Sequence, residues 1–378
     1  MHGSCWARRK MPRSARNQWV RKPFLFEPHP TRGPSCMFDF TRCFDLLLPE
    51  GSRSARPTPW EIENFGTNPG SLQMFTYVPK FIGRKSPLVV VLHGAIQTAA
   101  EYAHGSGWMT LADRHGFALL FPQQRRSNNA FTCFHWYRRR DTERGQGEAR
   151  SIWQMVERMI ASHDIDRGSL FVTGLSAGGA LTNVMLATYP EVFAAGAIIG
   201  GLPYAAAYNL EEALHSMSPG TKRASADWGD RVRAASSHTG AWPRVSIWHG
   251  DADTTVHSVN ARETMKQWVN VHGLPKQPTF SEQMTGCNYQ VWCNERGDSQ
   301  IERYGIARMQ HGTPLEPGND GAKCGTAGRY FLDVGISSSW LIAKFWGLID
   351  VCAVAVNPSG ALIPTVTIPV GREAPAGL

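Results

Sequence analysis

The sequence is poor in long apolar runs. Its 378 residues contain no uninterrupted apolar stretch of about 18, the length a membrane-spanning helix needs, so no such helix is predicted. CxxC pairs are also absent. The eight cysteines, at 5, 36, 43, 133, 287, 293, 324 and 352, stand at no metal-ligand spacing. That excludes a cysteine-built zinc site, and no metal is expected. Cys287 and Cys293 fall on one predicted strand, which would hold them ~20 Å apart and unbridged unless the backbone turns between them. The opening segment, MHGSCWARRKMPRSARNQWVRKPF, has no apolar core of the secretory kind. The expectation from it is a chain that stays inside the cell, leaves by another route, or starts later, as at Met37. Internal repeats are lacking too. Charge imbalance is scarce outside the first sixty residues, which hold 11 Lys/Arg against 4 Asp/Glu, or +7 of the net +8. No aromatic stacking platform accompanies that basic segment, so nucleic acid is not expected as a partner. A solvated extension is the simpler reading, and contact with an anionic surface is the alternative.

What is present is an alternation of strands and helices. SLQMFTYVPK (71–80) alternates like a half-buried strand. PLVVVLHG (87–94) is a continuous apolar run ended by glycine, as in a strand covered on both faces. A helix up to ADRHG and a strand at FALLFPQ (117–123) follow. In 148–163 the residues Ile152, Met155, Val156, Met159 and Ile160 recur at helical spacing and predict a core-facing stripe. Strands are predicted at SLFVTG, AAGAIIGG (194–201) and RVSIWHG (244–250). VNARETMKQWVNVHG reads as a helix stopped by Gly273, and a hairpin is predicted around NERGD. The last helix is SSSWLIAKFWGL, capped by Ser337 or Ser338. Segment 202–243 shows no strand and is expected as an insertion over the C-terminal edge of the sheet. The domain reading is an extension over 1–60, one α/β domain over 61–350 with a doubly wound, mostly parallel sheet flanked by helices, and a tail over 351–378.

FVTGLSAGGALT sets Ser176 between Gly174 and Gly178, after a strand and before a helix. A helix N-cap would not require glycine on both sides. The G-x-S-x-G pattern in this context predicts a tight turn that exposes the serine oxygen at the strand's C-terminal end. The N–H of Ala177 can then face a developing oxyanion. A nucleophilic serine needs a base, and the base an orienting carboxylate, in the chain order Ser, Asp or Glu, His. WHGDADTTV offers Asp251 and Asp253, and the offset from Gly250 with the β-branched residues beyond favours Asp253. Of the downstream histidines, His257 is too close to the acid loop and His272 ends a helix. His311, in ARMQHGTP after a strand, is the expected base. The second oxyanion donor is expected in LHGAIQT, at the N–H of Ala95.

These residues, with GWMTLADRHGFALLFPQQ, CFHWY, RGQGEARSIWQMVERM, GGLPY and LDVGISSSWLIAKFW, resemble the poly(3-hydroxybutyrate) depolymerase family of esterases, related to feruloyl and acetylxylan esterases. The resemblance spans roughly residues 70–349. It implies an α/β-hydrolase fold and a serine carboxylesterase that needs no cofactor and acts outside the cell. It also implies Ser176 as nucleophile, Asp253 as acid and His311 as base. The departures concern Ala95, His135, Ala205 and Ala206, where the family usually has Cys, Asn, Gly and Cys. With Ala95 in place, Cys133 loses the partner that the family pattern gives it, and the oxyanion loop is expected to loosen.

The expected substrate is an ester: poly- or oligo-3-hydroxybutyrate, with acylated carbohydrate as the rival. The absence of a second folded module favours soluble oligomers or small esters. An acyltransferase, using an alcohol in place of water, and a non-catalytic binder of polyester or glycan are the remaining alternatives. The complete Ser/Asp/His set argues against the binder. Trp108, Trp136 and Tyr204 are candidate linings of an acyl pocket, with core packing as the competing role for each.

Overall fold

The computed structural model describes residues 58–219 and 221–349. The predicted tail, and the extension apart from its last three residues, lie outside them. In chain order the elements begin with β1 (Trp60–Ile62), β2 (Gln73–Tyr77), β3 (Ser86–Leu92), α1 (Ala99–Gly105), α2 (Trp108–His115) and β4 (Ala118–Gln123). Next come α3 (Arg139–Thr142), α4 (Gly147–Ser162), β5 (Ile165–Leu175), α5 (Ala177–Thr188) and β6 (Ala195–Ile199). They continue with α6 (Leu210–Met217), α7 (Ser225–Arg233), β7 (Arg244–Gly250), α8 (Val259–Val271), β8 (Phe280–Met284), β9 (Cys287–Cys293) and β10 (Ser299–Ile306). The last are β11 (Thr313–Leu315), β12 (Phe331–Asp333) and α9 (Ser338–Trp346).

Ten strands form one sheet in the order β1-β2-β4-β3-β5-β6-β7-β10-β9-β8. The run from β4 to β10 is parallel, and antiparallel strands close both edges. This is the α/β-hydrolase arrangement. The period of two along β3 divides the core. Leu88, Val90 and Leu92 enter one apolar cluster with Ile152, Met155, Val156 and Met159 of α4. Val89 and Val91 enter another with Trp108 and Leu111 of α2 and Ile342 and Trp346 of α9. Each such side chain taken from water contributes about 1.5–3 kcal/mol, so a strand apolar on every residue is stable only between two helical layers. The alanine-rich α5 is buried on all sides, as its composition requires.

Among its described residues, segment 202–243 carries α6 and α7 and no strand, as expected. Leu202, Ala206, Ala207, Ala213 and Trp228 pack there with Ala177 and Ala180 at the start of α5. The insertion therefore lies over the end of the sheet where the serine turn sits. The strands missed by periodicity are β1, β8 and the small parallel pair β11–β12. All five residues of β8 are exposed, and each of the other three strands has only three residues. Cys287 and Cys293 end one unbroken strand, β9, and both are free thiols. None of the helices among the described residues is long and apolar enough to cross a membrane.

A buried polar network between β7 and β10 was not legible in advance. Ser246 Oγ donates to Glu302 Oε1 at 2.6 Å, and the Tyr289 and Tyr304 hydroxyls donate to Oε2. Burial pushes the Glu302 carboxyl up to about 7, against the pull of these donors. The unfolded chain releases this proton near the ordinary value of 4.5. Between the two values the folded state holds more protons, so stability falls as pH rises through this window and stays lower above it. A separation of that size is worth about 3 kcal/mol. Glu302→Gln should remove that loss. Urea unfolding at pH 5 and pH 8 checks it: the wild type should lose about 2.5 kcal/mol more between the two than the variant. Equal losses would refute the assignment.

Candidate active site

The turn from β5 to α5 puts Ser176 at φ 58° and ψ −117°. A non-glycine residue there costs on the order of 1–3 kcal/mol and persists only where its surroundings hold it. The hold is visible: Ser176 N–H donates to Ile199 O on β6 at 2.9 Å. The side chain makes no N-cap hydrogen bond, so capping does not explain the serine. The flanking glycines answer to space. A Cβ on Gly174 would lie 2.6 Å from the Gly178 carbonyl oxygen and 2.7 Å from Leu92 O, and one on Gly178 would overlap Leu92 O. The start of α5 is thereby pressed against the end of β3.

The loop after β3 faces this turn. His93 is fully buried; its Nδ1 donates to Gly94 O at 2.8 Å, and its Nε2 accepts from Gln124 N–H at 3.2 Å. Burial pulls its pKa down to about 4, so it is a neutral strut between two loops. Gly94 N–H donates to Gln97 Oε1, Ile96 N–H to Phe131 O at 2.6 Å, and Gln97 N–H to Gly94 O. Ala95 N–H has no hydrogen-bond partner among the described residues. The loop expected to be loosened by the loss of a cysteine pair is tied by other means. Besides the Ile96–Phe131 bond, Thr132 Oγ1 donates to Gln97 O at 3.1 Å. Ile96 sits at φ 58°, a second strained residue beside the serine.

Asp253 and His311 come together from loops beyond β7 and β10. His311 Nδ1 lies 2.7 Å from Asp253 Oδ2. The other oxygen, Oδ1, accepts the N–H groups of Thr255 and Val256, both at 2.9 Å. The two loops are laced together: Asp251 N–H donates to Ile306 O, Ala252 N–H to Met309 O, and Arg308 N–H to Asp251 Oδ1. Asp251 is thus a loop tie, and Asp253 is the carboxylate that meets the imidazole. Burial raises the Asp253 pKa, but hydrogen bonds from His249 and His311 outweigh it and hold the carboxyl well below its usual range. The His311 ring packs beside Gly200, where an added Cβ would lie 3.3 Å from its Cε1. Gly200 directly follows Ile199, whose carbonyl holds Ser176. A hydroxyl at a strained turn, an imidazole and a buried carboxylate are the parts of nucleophilic acyl transfer.

A family profile described as esterase PHB depolymerase matches residues 73–280. The chain belongs to this family. It is 47% identical over 290 residues to poly(3-hydroxyalkanoate) depolymerase C of Paucimonas lemoignei, covering 76% of this chain and 70% of that one. It is 34% identical over 266 residues to feruloyl esterase B of Talaromyces funiculosus, covering 68% and 73%. The solved acetyl xylan esterase of Aspergillus awamori superposes with a TM-score of 0.66 at 26% identity, covering 78% of this chain and all of that one. As a member of this family the protein is a carboxylic ester hydrolase of the serine-esterase type.

Within this esterase the three aromatic candidates separate. Trp108 is not at the site. It is fully buried, stacked on Trp346 and edge-on to Phe117 in the core between α2 and α9. Tyr204 is buried in the large cluster under α4 and α8, its backbone N–H donating to Gln267 Oε1. Trp136 belongs to the same apolar cluster as Ala177, and Ala95 packs against that cluster. His257 Nδ1 accepts the N–H of Val259, and His272 Nε2 bonds Pro243 O, so both are structural. Two site residues were missed. His249 Nε2 lies 3.2 Å from Asp253 Oδ2 and 2.7 Å from Val256 O. Tyr330 sets its ring edge-on to His311. His249 had a signal in its i,i+4 spacing to Asp253, whereas Tyr330 had none.

Proposed function

We propose that the protein hydrolyses hydroxyalkanoate esters, poly- or oligo-3-hydroxybutyrate, through an acyl-enzyme on Ser176. His311 takes the serine proton as Oγ attacks the ester carbonyl. The N–H groups of Ala95 and Ala177 hold the tetrahedral oxyanion. His311 then protonates the leaving alcohol, and water repeats the sequence on the acyl-enzyme. Asp253 fixes the imidazole tautomer and stabilises its charged form. The observation that carries this reading is the 2.7 Å contact of His311 with Asp253, on a ring beside Gly200, the residue after the one whose carbonyl holds Ser176 N–H. The choice of acyl group follows the 47% identity to a poly(3-hydroxyalkanoate) depolymerase. The apolar surface beside the oxyanion loop suits it: Phe131 is 70% exposed and Ile96 45%. Location outside the cell is part of the same proposal.

A carbohydrate esterase is the second reading, favoured by the feruloyl and acetylxylan esterase relatives. Release of 3-hydroxybutyrate from granules, dimer and trimer, measured beside hydrolysis of a feruloyl ester and acetylxylan, separates the two. The expected order places the soluble trimer first. Faster turnover of the feruloyl or acetyl ester would transfer the protein to the second reading.

A further inference from the structure

Outside the serine site, one cluster of buried titratable groups has no role in ester hydrolysis. His135 lies in the loop after β4, Asp141 in α3 and Glu148 in the first turn of α4. They are 4%, 5% and 0% exposed. His135 Nδ1 is 2.8 Å from Glu148 Oε1 and 3.8 Å from Asp141 Oδ2, and the three ligand atoms lie within 4.8 Å of one another. Glu148 is well oriented: it accepts the His135 backbone N–H on Oε2 and the Gln124 amide on Oε1. Asp141 Oδ2 is different, being buried without a hydrogen-bond partner. Arg140 Nε stands 3.6 Å from it, too far to donate, on a side chain 77% exposed. An orphaned buried carboxylate oxygen facing a second carboxylate is costly unless a cation joins them. A cavity of about 670 Å³, lined by His135 and Asp141 with Gly70, Asn128 and Arg138, opens on the cluster.

We propose that His135, Asp141 and Glu148 bind one divalent first-row cation, with Zn²⁺ as the best match to one imidazole and two carboxylates. Metal–ligand bonds of about 2.0–2.2 Å fit a cluster of this span after small shifts. The cavity supplies an entry path and water for the remaining positions. Gln124 serves as the outer partner that aims Glu148. To ligate, His135 Nδ1 gives up its hydrogen bond to Glu148 and carries its proton on Nε2, at the cost of the long 3.4 Å contact with Asn129. Cysteine spacing could not have shown this site, because it holds no cysteine and its residues come from three separate segments. The cation would pin the loop bearing Trp136, which shares an apolar cluster with Ala177, to the start of α4.

Calorimetric titration of the chelator-treated full chain with Zn²⁺ tests the proposal, alongside Asp141→Asn and His135→Asn. Asparagine is the residue the family usually carries at 135, so this variant should fold. The wild type should bind one Zn²⁺ in a single saturable event. Both variants should lose that event or weaken it at least about 100-fold. Circular dichroism identifies any variant that fails to fold, and the other then decides. Substitution with Co²⁺ should give a visible spectrum that His135→Asn changes. No Zn²⁺ uptake by the wild type, or uptake unchanged in the folded variants, would overturn the site. Ester turnover by the same samples is read separately, so failure here leaves the serine chemistry untouched.

Discussion

Ser176→Ala is expected to lower kcat by about 10⁴-fold or more while leaving the fold intact. The argument runs through the turn. Ser176 Oγ makes no capping bond, so removing it leaves no buried donor or acceptor unpaired and opens no sizeable cavity. The backbone is held by the N–H of residue 176 on Ile199 O, which alanine keeps. Stability should therefore stay within about 0.5 kcal/mol of wild type. Ser176→Gly, by contrast, should gain about 1 kcal/mol, because glycine relaxes the positive φ, and be equally inactive. The pair separates chemistry from folding: activity falls in both, while stability rises only in the glycine variant. Turnover of the soluble trimer and labelling by a fluorophosphonate read the chemistry, and urea unfolding reads the stability. An alanine variant with near-full turnover would remove Ser176 from the mechanism.

Legibility of the sequence followed how local each cause was. The apolar run of β3 and the stripe on α4 were readable because one face or two faces of a single element decide them. The serine turn was readable because Gly174 and Gly178 are demanded by contacts close along the chain and by the end of β3. The choice of Asp253 over Asp251 rested on a turn offset, and the structure gives each a distinct partner. Other features depend on elements far apart in sequence. Glu302 is buried because β10 lies beside β7, and nothing in its own strand marks it as different from the neighbouring Arg303. Trp108 was a pocket candidate with core packing favoured, and the cover that decides it comes from α9, far along the chain. The strand β8 has no buried face, so it leaves no periodic trace. The lacing of the oxyanion loop to Phe131 and Thr132 uses backbone groups that every residue carries, which is why the missing cysteine suggested a looser loop than is found.

The carboxylate should matter nearly as much as the serine: Asp253→Asn is expected to reduce kcat by about 10⁴-fold. Oδ1 binds two backbone N–H groups of the acid loop, and an asparagine oxygen can keep both. Its NH₂ group then occupies the place of Oδ2, facing His311 Nδ1 and His249 Nε2. A donor there repels the Nδ1–H tautomer of His311 and favours the one protonated on Nε2, which has no lone pair for the serine proton. Geometry is preserved and the base is disabled. The imidazolium formed during attack also loses its counter-charge. Hydrogen bonds from the two histidines overcome burial and keep Asp253 ionised well below neutral pH. Because its folded pKa is depressed, its contribution to stability is complete above the unfolded value near 3.9 and is lost only as pH falls below that. Protonation of Asp253 therefore plays no part in the pH–rate profile at pH 5 to 9, and the deficit of the asparagine variant should not be recovered at any pH in that range. Initial rates on the soluble trimer across those pH values, with circular dichroism as the control for folding, check this. A variant within about tenfold of wild type would mean that another group orients His311.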